Sequence, residues 1–284
     1  KFIDSCIVHS ALEVSMSAVL VDTHCHPESD SFRQDFEEVL VRAARAGVAQ
    51  LLAIGISAAT SQAVVVLANR HPGISAVVGV HPNHTHEIRP GDWEKIEELA
   101  FHPRVVGIGE TGLDNYWKDV PLDLQHDSFC RHIQLSRRCG KPFVVHCREA
   151  EAEVLAVLRE AAEAGPLQGV MHSFCGSDAV ADECLQLGMY ISFSGMLTYR
   201  RNDVLRATAA RIPPERLLIE TDAPYLAPQQ YRGKRNEPAW VADTCACLAD
   251  IHGMSLSQMA ALTTANARRL FRLGDESLML PPTE

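Results

Sequence analysis

VLVDTHCHPE, residues 19–28, runs from an apolar segment into two histidines one residue apart, with Cys25 between them. Three aliphatic residues followed by an abrupt polar stretch into Pro27 read as a buried strand leaving a core. Successive side chains on a strand alternate in direction, so His24 and His26 point to one side and Cys25 to the other. Such a pair can reach one metal ion, or it can be an ordinary polar loop. The rest of the chain decides between the two.

The pattern recurs. AVLVDTH (18–24), LLAIGI (51–56), AVVGVH (76–81), VVGIGE (105–110), FVVHC (143–147), GVMHSF (169–174), YISFSG (190–195) and LLIETD (217–222) are short apolar runs rich in Val and Ile, with helix-like segments between them. Runs of this length are too short for helices and read as buried parallel strands. After the first run, Phe32, Phe36, Val39, Leu40 and Ala43 fall on one helical face, Ser31 with Gln34 suggests a capping box, and Gly47 a stop. Val154, Leu155, Val157, Leu158 and Ala161 make a second such face, and Ser255 with Gln258 caps a last helix through Leu270. Eight strands alternating with helices predict an α/β fold, a single (β/α)8 TIM barrel. The alternative is an open doubly wound sheet, but no obvious glycine-rich phosphate loop of the kind such sheets carry follows a strand. The barrel is assigned to residues 18–274, with 1–17 an N-terminal extension or non-native segment containing a possible start at Met16, and 275–284 a C-terminal tail.

Composition narrows the classes. The chain has 284 residues, 46% hydrophobic and 22% charged, ample for a large core. No apolar run approaches bilayer length, and no basic segment with an apolar stretch and cleavage site opens the chain, so no membrane association is expected. The nine cysteines follow no regular framework; reduced thiols and a cytoplasmic location are the expectation. Cys245 and Cys247 form a lone CxC in a helical segment, for which burial is the default role. A net charge of −10 argues against a protein that wraps duplex nucleic acid with a basic surface. It leaves room for a locally positive, metal-filled cleft.

The polar residues at the ends of the apolar runs point to such a cleft. His24 and His26 end the first, His81 the third, Glu110 the fourth, His146 the fifth, His172 the sixth and Asp222 the eighth. In a (β/α)8 barrel the C-terminal strand ends converge on one face, where active sites lie. Taken singly, Glu110 could cap a helix, Asp222 could start a turn before Pro224, and His146 or His172 could be core histidines. Taken together, imidazoles and carboxylates suit borderline divalent ions such as Zn²⁺, Mn²⁺ or Fe²⁺. A carboxylate such as Glu110 can give one oxygen to each of two ions, as a two-metal hydrolytic site requires. Arg148 follows the fifth strand end, and RGKR (232–235) precedes Asn236-Glu237-Pro238; either can place a phosphate or brace a carboxylate.

DTHCH, GVHPN, GIGETGLD, HCRE, HSFCGS, SFSG, IETDAPYLAP and GKRNEPAW, in that order, resemble the motifs of the TatD-type metal-dependent deoxyribonucleases, over about Val19 to Leu273. The resemblance implies a TIM barrel with two divalent ions (Zn, Mn or Mg). It implies His24 and His26 as ligands of one ion, Glu110 as the bridge, His146 and His172 as ligands of the second, and Asp222 as a ligand of the first that also contacts the nucleophilic water. His81 matches a histidine that contacts substrate phosphate. Arg148 and Glu237 fall on motif positions. Residues 1–17 have no counterpart in the family's usual start, and Asn115 to Lys118 occupy a variable loop. The fourth strand carries Glu110 where some relatives use a carbamylated lysine.

The expected activity is therefore phosphodiester hydrolysis of DNA, from a 3′ end or in single-stranded substrate, with Asp222, Glu110 and His81 catalytic and His81 and Arg148 binding substrate. A hydrolase of C–N bonds (a cyclic amide hydrolase or deaminase) and a non-catalytic metal-binding protein are the alternatives.

Overall fold

The computed structural model describes residues 19–275. The segment 1–17, with Met16, and the chain after 275 lie outside the described residues, so the limits assigned to extension and tail remain expectations. The chain alternates strand and helix: β1 (Leu20–Cys25), α1 (Phe36–Arg45), β2 (Val48–Ile54), α2 (Ala58–Arg70), β3 (Ile74–Val78), α3 (Asp92–Ala100), β4 (Val105–Asp114), α4 (Leu122–Cys139), β5 (Phe143–Arg148), α5 (Glu151–Glu163), β6 (Gly169–Met171), α6 (Asp178–Gln186), β7 (Tyr190–Phe193), α7 (Asp203–Ala209), β8 (Leu217–Ile219), α8 (Val241–His252) and α9 (Leu256–Phe271). The strands pair in parallel in chain order, β1 through β8. The seam between β1 and β8 closes just beyond the end of β8, where Asp222 N donates to His24 O at 2.8 Å and His26 N to Ala223 O at 2.8 Å. The result is the (β/α)8 barrel that the eight apolar runs predict.

Two apolar layers hold it. One lies between the strands and the surrounding helices. The other fills the barrel, where Val21, Leu52, Val77, Val144, Val170 and Leu218 meet Ala267, Leu270 and Phe271 at the end of α9. That helix is tied to the strand starts: Thr264 Oγ1 donates to Val19 O at 2.7 Å and Asn266 Nδ2 to Leu217 O at 2.9 Å. It plugs the N-terminal mouth and leaves the C-terminal mouth to polar residues. The Ser255–Gln258 capping box that starts α9 is present as expected.

The first helix departs from expectation. Ser31 and Gln34 form no capping box; Phe32 lies in a separate short 3-10 turn, and α1 begins at Phe36. Phe32 remains buried because the turn still presses its ring inward. Among the described residues no helix is long and apolar enough to cross a membrane.

Candidate metal centre

Two irregular strands aim the central residues. In β1 the pairing with β2 slips between Asp22 and Cys25, and in β4 the pairing with β5 slips between Ile108 and Thr111. An extra residue of this kind bends a strand and redirects its side chains. Glu110 therefore does not stand at the end of its strand, as the sequence suggests, but at a bulge within it, with β4 running four residues further to Asp114. Glycines make the bulge possible. Gly109 and Gly112 have φ of 140° and 128°, and a Cβ on Gly112 would lie 2.0 Å from the His146 carbonyl oxygen. His81, His172 and Asp222 lie just past β3, β6 and β8 respectively. Asp222 holds a left-handed backbone, φ 56°, a conformation that Asp tolerates better than most residues.

The six expected ligands converge, with His81 beside them. Glu110 Oε2 lies 3.4 Å from His24 Nε2 and 4.0 Å from His26 Nε2. Asp222 Oδ1 lies 3.4 Å from His26 Nε2 and 3.7 Å from His24 Nε2. The other Glu110 oxygen, Oε1, lies 2.8 Å from His172 Nε2, 3.0 Å from His146 Nδ1 and 3.5 Å from His81 Nε2. One carboxylate thus faces two groups of donors, one with each oxygen. These atoms fall into clusters close enough to hold an ion: His24 with His26 and Glu110, His24 with His172 and Asp222, and His81 with Glu110 and His146.

At four of the five rings the far nitrogen distinguishes a ligand from a donor; His24 Nδ1 is buried with no hydrogen-bond partner among the described residues. His26 Nδ1 meets the Ile54 carbonyl at 3.1 Å, His172 Nδ1 meets Glu220 Oε1 at 3.1 Å, and His146 Nε2 meets Asp114 Oδ2 at 3.0 Å. Each of these oxygens is an acceptor, so the proton sits on the outer nitrogen and the inner one keeps its lone pair for a cation. His81 is wired the other way. Its Nδ1 accepts the Asn83 N–H at 3.1 Å, so in the neutral ring the proton sits on Nε2, facing the cage. Burial lowers His81 to about 3 despite Glu110, which keeps the ring neutral near pH 7.

The charges agree with a cation site. Burial alone would raise the Glu110 carboxyl, but the neighbouring imidazoles, His172 foremost, override it and hold it well below the ordinary value. Burial likewise opposes the charged form of His26, yet the Asp222 bond lifts it to about 9. His172 is raised well above its ordinary value against the same burial, mainly by Glu110 and then Glu220. A buried nest of anionic oxygens that recruits protons onto His26, His146 and His172, while burial keeps His24 and His81 low, is chemically suited to a cation that replaces those protons. The donor set of imidazole nitrogens and carboxylate oxygens fits borderline divalent metal.

Several residues lay beyond the sequence reading. Asp114 and Glu220 orient His146 and His172. Asp114 gave no signal, because it lies beyond the run VVGIGE that reads as the strand; Glu220, two before Asp222 in IETD, could have been found. Asp22, wholly buried, accepts from Thr221 Oγ1 at 2.6 Å and Thr221 N at 2.9 Å and braces the β1–β8 seam. His132 of α4 gave no signal, since it reads as one more core position of a helix. Glu237 braces rather than binds: Arg42 grips it through Nε at 2.9 Å and Nη2 at 2.7 Å, while Arg235 pairs with Asp35 at 2.7 Å. Cys25 points away from the cage, its Sγ 3.5 Å from Leu52 O, and Cys245 is buried.

The cage floors a cleft of about 880 Å³ lined also by Glu28, Asn83, Trp117, Arg148 and Tyr225. Arg148 is exposed, and its guanidinium carbon lies 3.8 Å from the centre of the Tyr116 ring.

Residues 21–272 match the family model described as TatD related DNase. The chain is 37% identical over 256 residues to an uncharacterized metal-dependent hydrolase, YabD, of Bacillus subtilis, covering 90% of this chain and all of the relative. It is 37% identical over 249 residues to a protein of Klebsiella pneumoniae named 3′-5′ ssDNA/RNA exonuclease TatD, covering 86% of this chain and 94% of that one. Among solved structures, a TatD homologue from Escherichia coli, YJJV, superposes with a TM-score of 0.86 at 28% identity, over 92% of this chain and all of the other.

Proposed function

The chain belongs to the TatD-related DNase family and is a metal-dependent hydrolase, and from that premise we propose that it is a two-metal phosphodiesterase acting on single-stranded DNA from the 3′ end. The observation that carries the proposal is the division of Glu110 between two donor groups, one per oxygen. His24, His26 and Asp222 would hold one ion, His146 and His172 the other, and Glu110 both; zinc, manganese and magnesium are the ions to test. Two divalent ions so held supply Lewis acidity toward phosphoryl oxygens and acidify water.

The remaining work falls to side chains. Burial opposes the charged form of Asp222, but the His26 bond and the neighbouring imidazoles keep its carboxyl below the ordinary value. It is therefore a carboxylate, able to orient the attacking water and accept its proton. His81, neutral with its proton on Nε2, donates to a phosphate oxygen as charge builds there. Asn83 N fixes that tautomer. Arg148, at the rim, meets the backbone phosphate as the strand enters. Glu220, Asp114 and the Ile54 carbonyl hold three of the rings in register. The nuclease name of the Klebsiella relative supports nucleic acid as substrate. The acidic overall charge supports capture of short single-stranded ends through the ions rather than through a basic surface.

The test is a screen of metal-free protein refilled with one ion at a time and given 3′- and 5′-labelled single-stranded DNA, the matching RNA, and a cyclic amide. Loss of single nucleotides from the 3′ end of DNA is the expected result. Turnover of the amide with no attack on nucleic acid contradicts the proposal.

A further inference from the structure

Four Phe, Tyr or Trp side chains are exposed among the described residues: Phe101, Tyr116, Trp117 and Tyr225. Three of them gather at the cleft, where Trp117 and Tyr225 form part of the lining and Tyr116 packs edge-on against Trp117 with centroids 5.0 Å apart. Large exposed aromatics at one polar cleft mark a surface kept for a ligand with an apolar face. We propose that Trp117 and Tyr225, with Tyr116 and Arg148 behind Trp117, are base-stacking posts that grip the nucleobases flanking the scissile phosphate. The proposal rests on the nucleic-acid reading above and adds to it the part of the substrate that this chain recognises.

The posts stand on opposite sides of the barrel. Trp117 is on the loop after β4 and Tyr225 on the loop after β8, four strands apart in the eight-strand order. Each is fixed to the cage by short connections. Asp114 uses Oδ2 to hold His146 Nε2 at 3.0 Å and Oδ1 to accept the backbone N–H groups of Tyr116 and Trp117, both at 3.0 Å. One carboxylate therefore sets the distance between the cage and the indole. On the other side, Tyr225 N donates to Asp222 O at 2.8 Å, and the Tyr225 ring lies 6.1 Å from that of His26. Backbones anchored in this way lose little freedom when a ring is covered, which favours binding.

The ligand class follows from the surfaces offered. The Trp117 and Tyr225 rings present faces with few hydrogen-bonding atoms, and the guanidinium carbon of Arg148, 3.8 Å from the Tyr116 ring centre, backs the first of them, so a planar π-system is the complement. A phosphate at the cage floor places its neighbouring bases at the rim. Stacking is available only to unpaired bases, so the posts select single strands, and it is tolerant of sequence because every base has a π-face.

The experiment compares two 5′-labelled octamers by fluorescence anisotropy, one of deoxythymidine and one abasic with the same phosphates, each bound to the full chain in metal-free and in zinc-loaded form. Stacking of one base is worth roughly a tenfold change in affinity or more. The base-bearing octamer is expected to bind at least about tenfold more tightly than the abasic one. Trp117→Ala and Tyr225→Ala are each expected to bring that ratio below about threefold, while Phe101→Ala, remote from the cleft, keeps it. Equal affinity for the two octamers, no measurable binding of either, or a ratio unmoved by both cleft variants overturns the proposal. Hydrolysis is scored separately. Base-dependent binding without cleavage of any nucleic acid leaves the posts standing and removes the phosphodiesterase reading; cleavage without base-dependent binding does the reverse.

Discussion

His132 offers the sharpest quantitative prediction, because it is wholly buried and its protonation state is fixed by what it touches. Its Nδ1 lies 2.7 Å from the Ser128 carbonyl and so carries the proton, and its Nε2 accepts the Val80 N–H at 2.9 Å. Thr111 Oγ1 lies 3.1 Å from the same Nδ1. The ring thus ties the residue before His81 to the residue after Glu110. A second proton would set two N–H groups against each other at Val80. Burial accordingly lowers His132 from 6.5 to about 4. A histidine kept neutral by folding adds stability above pH 6.5 that is lost as the pH falls toward 4, because the unfolded chain takes up the proton first. Between pH 7.5 and pH 5, linkage puts that loss at about 2 kcal/mol. His132→Gln keeps an acceptor for Val80 but cannot titrate. Urea unfolding of both proteins at the two pH values should show the wild type losing about 2 kcal/mol more than the variant. The cage histidines titrate in both and cancel. Equal losses would refute the argument that His132 is held neutral.

Three further outcomes are expected. His81→Ala should lower turnover by roughly 10²-fold while full metal content is retained on elemental analysis, since its cage-facing nitrogen carries a proton rather than a lone pair; loss of an equivalent of metal would make it a ligand. Glu220→Ala should weaken one metal site by roughly 10- to 100-fold through His172, read by competition with a chelating dye, whereas unchanged affinity at both sites would show that the ring needs no orienting partner. Metal affinity should rise with pH through the neutral range up to about 9, where His26 no longer holds a competing proton; isothermal titration in buffers of different ionisation enthalpy should detect proton release on binding, and its absence would contradict the charge state of the cage.

Much of the barrel is readable because its strands are buried on both faces, so that runs such as FVVHC stay apolar until they reach the polar mouth. The same physics makes His24, His146 and His172 conspicuous: a histidine interrupting a Val-rich run is a chemical exception. Other features depend on geometry that no local pattern encodes. Glu110 reads as a strand end because the apolar run VVGIGE stops there, but the glycines on either side shape a bulge inside a ten-residue strand. Asp114 looks like a loop residue for the same reason. Ser31 and Gln34 have capping-box spacing, and yet an intervening 3-10 turn moves the helix start to Phe36. His132 becomes legible only when α4 is packed on β4 and on the segment that follows β3, and the plug made by Phe271 only when the chain has closed its barrel.

The central claim is that Glu110 spans two ions, and anomalous diffraction from a zinc-loaded crystal tests it most directly. The account predicts two peaks about 4 Å apart. One should lie among His24, His26 and Asp222, the other between His146 and His172, with an oxygen of Glu110 at each and His81 bound to neither. A single peak, or a pair that Glu110 does not bridge, would contradict it.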